Sequence, residues 1–127
     1  MRPVKTLNAG RALSLLCLFA LAVGCGQKAV VAPPLAIEAV PAKMEDAFQS
    51  AQPEVTTAVQ EAVASVRGDD PAALQQLQEL STRSELTPEQ RATANQSLFA
   101  VLARLQAAET NGNSKAAEAL QQYRASK

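Results

Sequence analysis

Apolar side chains recur through the second two-thirds of the chain at helical intervals. Met44, Phe48, Ala51, Val55, Val59, Ala62 and Val66 follow one another at steps of 4, 3, 4, 4, 3 and 4, one stripe at close to 3.6 residues per turn. Pro53 falls inside this stripe without shifting its phase. Either one helix over 42–67 kinks there, or a second helix starts with Pro53 in its first turn. Gly68 ends the segment, with Arg67 beside the negative end of the helix dipole.

Three further helices follow, each with a start signal written in local chemistry. Asp69-Asp70-Pro71 offers an acidic cap and an early proline, and predicts a helix over 71–82 carrying Leu74, Leu77 and Leu80. Thr87-Pro88-Glu89-Gln90 has the spacing of a capping box and predicts a helix over 88–109. Its inward stripe is Ala94, Leu98, Val101, Leu102, Leu105 and Ala108. Asn111-Gly112-Asn113 stops it, with Gly112 free to adopt positive φ. A last helix over 114–125 turns Ala116, Ala117, Leu120 and Tyr123 inward. No stretch alternates with period two, so no sheet is expected.

The expectation is an all-α fold over 42–127, a small Ala-rich helical bundle or stacked helical hairpins with antiparallel neighbours. Gly68-Asp69-x-x-x-Ala73 and Gly112-Asn113-x-x-x-Ala117 are similar to the turn that leads into the second helix of tetratricopeptide-type repeats. Their spacing of 44 rather than 34 residues limits what the resemblance implies to the stacking of hairpins.

The core is thin. Residues 42–127 hold eight Leu, five Val, two Phe, one Met and one Tyr, and the rest of their apolar content is Ala. A Val, Leu or Phe contributes roughly 1.5–3 kcal/mol when buried and an Ala much less, so a domain of this size is marginal. The Val55–Val66 stretch offers only Val and Ala on its stripe. Either it packs loosely within a monomer, or a protein partner or second copy completes it.

The first 41 residues have another character. Arg2, Lys5 and Arg11 form a basic start, and no acidic residue occurs before Glu38. The apolar run Ala12–Val23 follows, and as a helix its 12 residues rise only about 18 Å, short of a roughly 30 Å hydrocarbon core. Basic start, short apolar run and small residues describe a secretory signal peptide over 1–24, oriented for export by its positive charge. The run closes on Leu21-Ala22-Val23-Gly24-Cys25-Gly26, which resembles the lipobox of bacterial lipoproteins, with Ala22 at the position where Leu is commonest. The resemblance implies that Gly24 is the last residue removed and that Cys25, acylated on sulfur, becomes the first mature residue. It also implies a lipid-anchored protein of the cell membrane. In a Gram-negative source the absence of Asp at position 26 favours the outer membrane, facing the periplasm. Cleavage that leaves a plain thiol at Cys25 and an uncleaved anchor are the other readings of the same residues.

Cysteine usage fits export. Cys17 would leave with the signal and Cys25 would carry lipid, so the mature chain would have neither free thiol nor disulfide. Beyond Cys25, residues up to 41 include Pro33, Pro34 and Pro41 and lack helical periodicity. They predict a Pro-rich tether over 25–41 between membrane and domain.

Composition narrows the chemistry. With 12 Lys plus Arg against 12 Asp plus Glu the net charge is zero, which offers no basic stripe for nucleic acid. The chain has no His, which removes imidazole-based triads, Cys-His pairs and His-ligated zinc. Asp69-Asp70 reads as a helix cap rather than a metal or acid–base pair, since no calcium-loop spacing surrounds it. Glu61, Glu79 and Glu109 are isolated on polar faces, and Gln75, Gln76, Gln78, Gln121 and Gln122 read as neutral outer surface. No S-x-x-K, G-x-S-x-G or Gly-rich phosphate loop occurs. No enzyme activity, cofactor or small-molecule substrate is expected. The expected role is a non-enzymatic protein-interaction or structural module. The Tyr123-Arg124-Ala125-Ser126-Lys127 tail resembles that of the major murein lipoprotein, whose last lysine is joined to peptidoglycan. By that resemblance Lys127 would attach to the cell wall, although Gly68, Pro71, Pro88 and Gly112 break the heptads of that family's coiled coil.

Overall fold

A computed structural model describes residues 33–127. Helix makes up 76% of these residues and no strand occurs among them, so the fold is an all-α bundle. Five α-helices follow a short 3-10 turn at Ile37–Ala39: α1 Val40–Ala47, α2 Pro53–Val66, α3 Asp70–Ser81, α4 Pro88–Thr110 and α5 Ser114–Ala125. The last three match the sequence expectation to within a residue at each end.

The first expected helix, 42–67, is two helices. Phe48 ends α1 with φ −108°, ψ 12°, and Gln52 is extended at φ −62°, ψ 153° ahead of Pro53. Proline has no N–H to give and disfavours helical backbone in the residue before it. The chain therefore turns at 48–52 and restarts, with Pro53 in the first turn of α2. The apolar phase survives because both helices face the same core: Met44, Phe48, Val55, Val59, Ala62 and Val66 are all buried.

The expected tether also ends earlier than residue 41. Pro41 lies in the first turn of α1, where its fixed φ starts a helix rather than preventing one. Val40 is fully buried, and Leu35 and Ile37 pack against the core. The folded unit therefore includes the C-terminal part of the expected tether.

Helix α4 is the centre, packing against α1, α3 and α5, while α3 also packs against α2 and α5. Directions follow from side-chain contacts at the helix ends. Arg104, late in α4, reaches Asp70 at the start of α3, and Arg91, early in α4, reaches Ser81 at its end. Those two helices are antiparallel. Gln78 Nε2 donates to Ser126 Oγ at 3.1 Å, joining the late part of α3 to the end of α5, so these two run parallel.

One core joins all five helices. Leu77, Leu80, Leu105, Leu120, Met44 and Phe48 supply its largest fully enclosed side chains, with Ala62, Ala73 and Ala94 at close approaches. The stripe on α2 that could have awaited a partner, Val55, Val59, Ala62, Val63 and Val66, is buried within the chain itself.

Candidate functional site

The residues expected to carry lipid attachment and cleavage, Cys25 and Gly24, lie outside the described residues. Lys127 is exposed beyond the end of α5, its Nζ 4.8 Å from the centroid of the Tyr123 ring.

The acidic pair before α3 is divided between two tasks. Asp69 is the N-cap of α3 and its side chain accepts from Ala72 N at 3.2 Å. Asp70, one residue on, receives the Arg104 guanidinium: Nε donates to Oδ2 at 2.7 Å and Nη2 donates to Oδ1. Arg104 Nη2 also donates to Val66 O at 2.6 Å. One guanidinium thus joins the last turn of α2, the first turn of α3 and the body of α4. Its planar array of donors suits a carboxylate and a carbonyl together. No cluster of metal-ligating side chains occurs among the described residues.

The opposite end of α3 is closed the same way. Arg91 Nη1 donates to Ser81 O at 3.2 Å and Nη2 to Arg83 O at 3.1 Å, placing positive charge at the negative end of the helix. Gln90 works in two directions. Its side chain accepts from Thr87 N at 3.1 Å while Thr87 Oγ1 accepts from Gln90 N at 3.2 Å, completing the expected capping box. Gln90 Nε2 also donates to Ala47 O at 3.4 Å, tying the end of α1 to the start of α4.

The two turns that resemble tetratricopeptide turns are locally alike. Asn113 caps α5 by accepting from Ala116 N at 3.1 Å, the counterpart of Asp69 and Ala72. They differ in backbone, because among the described glycines Gly112 adopts positive φ, at 86°, and Gly68 does not.

The remaining carboxylates sit at the surface. Glu61 is exposed, Glu79 accepts from Gln75 Nε2 at 3.4 Å, and Glu109 pairs with Arg124 at 3.6 Å. Glu85 accepts from Arg83 Nη1 at 3.1 Å. Its pKa lies below the ordinary glutamate value of 4.5, first through a hydrogen bond from its own backbone and then through Arg83. Of the glutamines expected outside, Gln76 is half-buried, with Oε1 enclosed and unpartnered.

Between the parallel helices α3 and α5 runs an open groove of about 560 Å³, walled by Leu74, Gln75, Gln78, Gln122 and Tyr123. Its polar groups are mainly neutral amides and hydroxyls, able to exchange hydrogen bonds with a polypeptide surface. Nothing in it pairs a nucleophile with a base. Arg91, Arg104 and Phe99 were not singled out from sequence. The arginines gave no signal because their partners are backbone carbonyls and a distant carboxylate. Phe99 did give one: it stands one residue beyond Leu98, off the inward stripe, and it is 52% exposed.

The chain matches no known family model, no characterised protein and no solved structure.

Proposed function

We propose that this chain is a lipid-anchored, non-enzymatic helical module of the cell envelope, acting in protein interaction or structural support. The observation that carries the reading is the basic start, the 12-residue apolar run and Cys25 directly after Gly24. Acyl chains on Cys25 would be the membrane contact. One chain holds only marginally at about 0.8 kcal/mol per buried CH₂, whereas two or three hold a small domain for its lifetime. The segment after Cys25 would set the distance between bilayer and bundle, and its folded end begins near Leu35. Helix-end capping and interhelix ties already engage the well-placed polar groups Asp69, Asp70, Gln90, Arg91 and Arg104. This arrangement supports a scaffold more than a reaction centre.

Acyl labelling of cells producing the full chain tests the reading. Label should appear on the protein, disappear in Cys25→Ala, and take membrane retention with it. A peptide running intact through Gly24 into an unmodified Cys25 thiol overturns it.

Attachment to peptidoglycan through Lys127 is the second reading, favoured by the exposure of that residue at the end of α5. Deleting Lys127 should then abolish a cell-wall-bound fraction. The absence of any such fraction in the unaltered protein removes it.

A further inference from the structure

Asn111, at the end of α4, is followed by glycine, whereas Asn8, Asn95 and Asn113 precede Ala9, Gln96 and Ser114. Asn111 and Gly112 are both exposed. Asn113 commits its side-chain oxygen to Ala116 N at 3.1 Å, and Asn95 lies half-buried inside α4. Among the described residues no hydrogen bond reaches the Asn111 carboxamide, and even a Cβ added at Gly112 would meet nothing within 4 Å. A free carboxamide next to an unhindered peptide N–H is the pair that can close a five-membered ring.

We infer that Asn111 is a site of spontaneous covalent modification, converted to aspartate and isoaspartate through a succinimide formed with Gly112, and that the cap at the end of α4 sets the rate. The Gly112 N–H gives its proton to water and the nitrogen attacks Asn111 Cγ. The Cγ–Nδ2 bond breaks, and Nδ2 takes up a proton and leaves as ammonia. One water then opens the ring. Attack at Cγ yields aspartate, and attack at the Asn111 backbone carbonyl yields isoaspartate, in which the main chain runs through Cβ and Cγ. An amide becomes a carboxylate on either route, and nothing is oxidised or reduced.

The folded turn holds the reaction back. Gly112 N donates to Glu109 O at 2.9 Å and Asn113 N donates to Ala108 O at 3.0 Å, the paired bonds of a glycine cap. Asn111 has ψ 9°, which nearly eclipses Gly112 N with the nitrogen of Asn111 itself and keeps it away from the side chain. Ring closure waits until these bonds break and the Asn111 Cα–C bond turns, a local opening that helix ends undergo far more often than cores. Asn113 must also give up its cap bond and Asn95 must open the interior of a helix, and each faces a bulkier next residue. The product no longer fits the cap. Isoaspartate adds one atom to the main chain inside it, and either product places a new carboxylate beside Glu109 at the negative end of α4. Each conversion thus loosens the link between α4 and α5.

The full chain is incubated in neutral buffer, conversion at each asparagine is read by peptide mass, and isoaspartate is separated from aspartate by chromatography. Asn111 should convert about tenfold faster than Asn95 or Asn113, with isoaspartate among its products as the mark of the ring. Asn111→Gln should stop conversion at that position. Asn113→Ala removes the cap of α5 while keeping Asn111 and Gly112, and should speed conversion about fivefold with the helical circular dichroism retained. Urea should speed it further. Conversion at Asn95 or Asn113 as fast as at Asn111, products free of isoaspartate, or no conversion at Asn111 in the folded chain while the unfolded chain reacts each overturn the site. Equal rates in the parent, in Asn113→Ala and in urea overturn its control by the cap.

Discussion

Arg91 and Arg104, both on α4, hold opposite ends of α3. Arg104 takes Asp70 in the first turn, and Arg91 takes the carbonyls of Ser81 and Arg83 at the last. The two arginines are about 20 Å apart along their helix, and α3, with its 12 residues, is about 18 Å long. The match fixes α3 against α4 in both direction and register. It also supplies from outside the helix some of the partners that every helix end lacks. Both helices bury mainly leucine, Leu74, Leu77 and Leu80 on α3 and Leu98, Leu102 and Leu105 on α4, and the two-point clamp adds polar partners at fixed positions to that packing.

Removing the clamp at its ion-paired end should therefore be felt. Arg104→Met leaves Asp70 and Val66 O without their partner while keeping the stem that packs below. Hydrogen bonds to charged groups contribute roughly 1.5–3 kcal/mol. The Arg104 side chain is 36% exposed, so solvent screening brings the expected loss to about 1–2 kcal/mol. Urea titration of the full chain should show a lower midpoint with an unchanged slope. The exposed pair Arg67–Glu45, 3.7 Å apart, provides the contrast: Arg67→Met should leave the midpoint within about 0.5 kcal/mol of the parent.

The capping box makes a graded prediction. Thr87→Ala deletes one acceptor at the start of α4 and should cost about 1 kcal/mol. Gln90→Ala deletes the reciprocal bond and also the bond to Ala47 O that ties α1 to α4. Its cost should exceed that of Thr87→Ala, and the difference should shrink in a variant whose α1 is already loosened, such as Met44→Ala. Thermal unfolding of the single and double variants gives both numbers.

The glycines at the two similar turns should respond oppositely. Gly112 has φ 86°, which an L side chain rarely adopts, so Gly112→Ala should destabilise by about 1 kcal/mol even though a Cβ there meets nothing within 4 Å. Gly68 is open in the same way without the positive φ. Gly68→Ala should be neutral or should stabilise by about 0.4–1 kcal/mol, because it restricts only the unfolded chain. Midpoints of the two variants moving in the same direction would contradict this.

Which features were legible in the sequence follows the range of the interactions behind them. The starts of α3, α4 and α5 were readable because Asp69, Thr87 with Gln90, and Asn113 act on N–H groups three residues away. The inward stripes of α3 and α4 were readable because burial follows the helical period. The break between α1 and α2 left two readings open, since Phe48, Ala51 and Val55 keep phase across a turn that only backbone geometry reveals. Pro41 is ambiguous in sequence because a proline that ends one segment equally starts the next, and here it starts α1. What decides is whether Val40 and Ile37 find a core, which is a tertiary fact. The arginine clamp joins residues far apart in sequence and left no periodic trace. The lipid-attachment reading at Cys25 and Gly24 rests on sequence alone.

Acid should weaken the α3–α4 connection slightly. Glu85 titrates below 4.5 in the folded chain because its own backbone hydrogen bond and then Arg83 favour the carboxylate. A group with a depressed folded pKa contributes stability above its unfolded value. That contribution is lost as pH falls from about 4.5 through the folded pKa. Arg83→Ala should bring the Glu85 titration, followed by side-chain carboxyl NMR, back toward 4.5 while leaving its first cause in place. No change in that titration would mean that Arg83 contributes nothing to the shift.

The location of the α2 stripe can be decided by overpacking it. Ala62 is fully buried against this chain's own helices, whereas Ala64 on the same helix is exposed. Ala62→Leu forces extra methylenes into the core and should cost about 1–3 kcal/mol, whereas Ala64→Leu should stay within about 0.5 kcal/mol of the parent. The loss from Ala62→Leu should be independent of protein concentration, because unfolding of a core sealed within one chain is unimolecular. If a second copy completed the α2 stripe, the midpoint of the parent would rise with concentration, and Ala62→Leu would remove that dependence. Unfolding midpoints of the parent and the Ala62→Leu chain over a hundredfold range of concentration decide between the two arrangements.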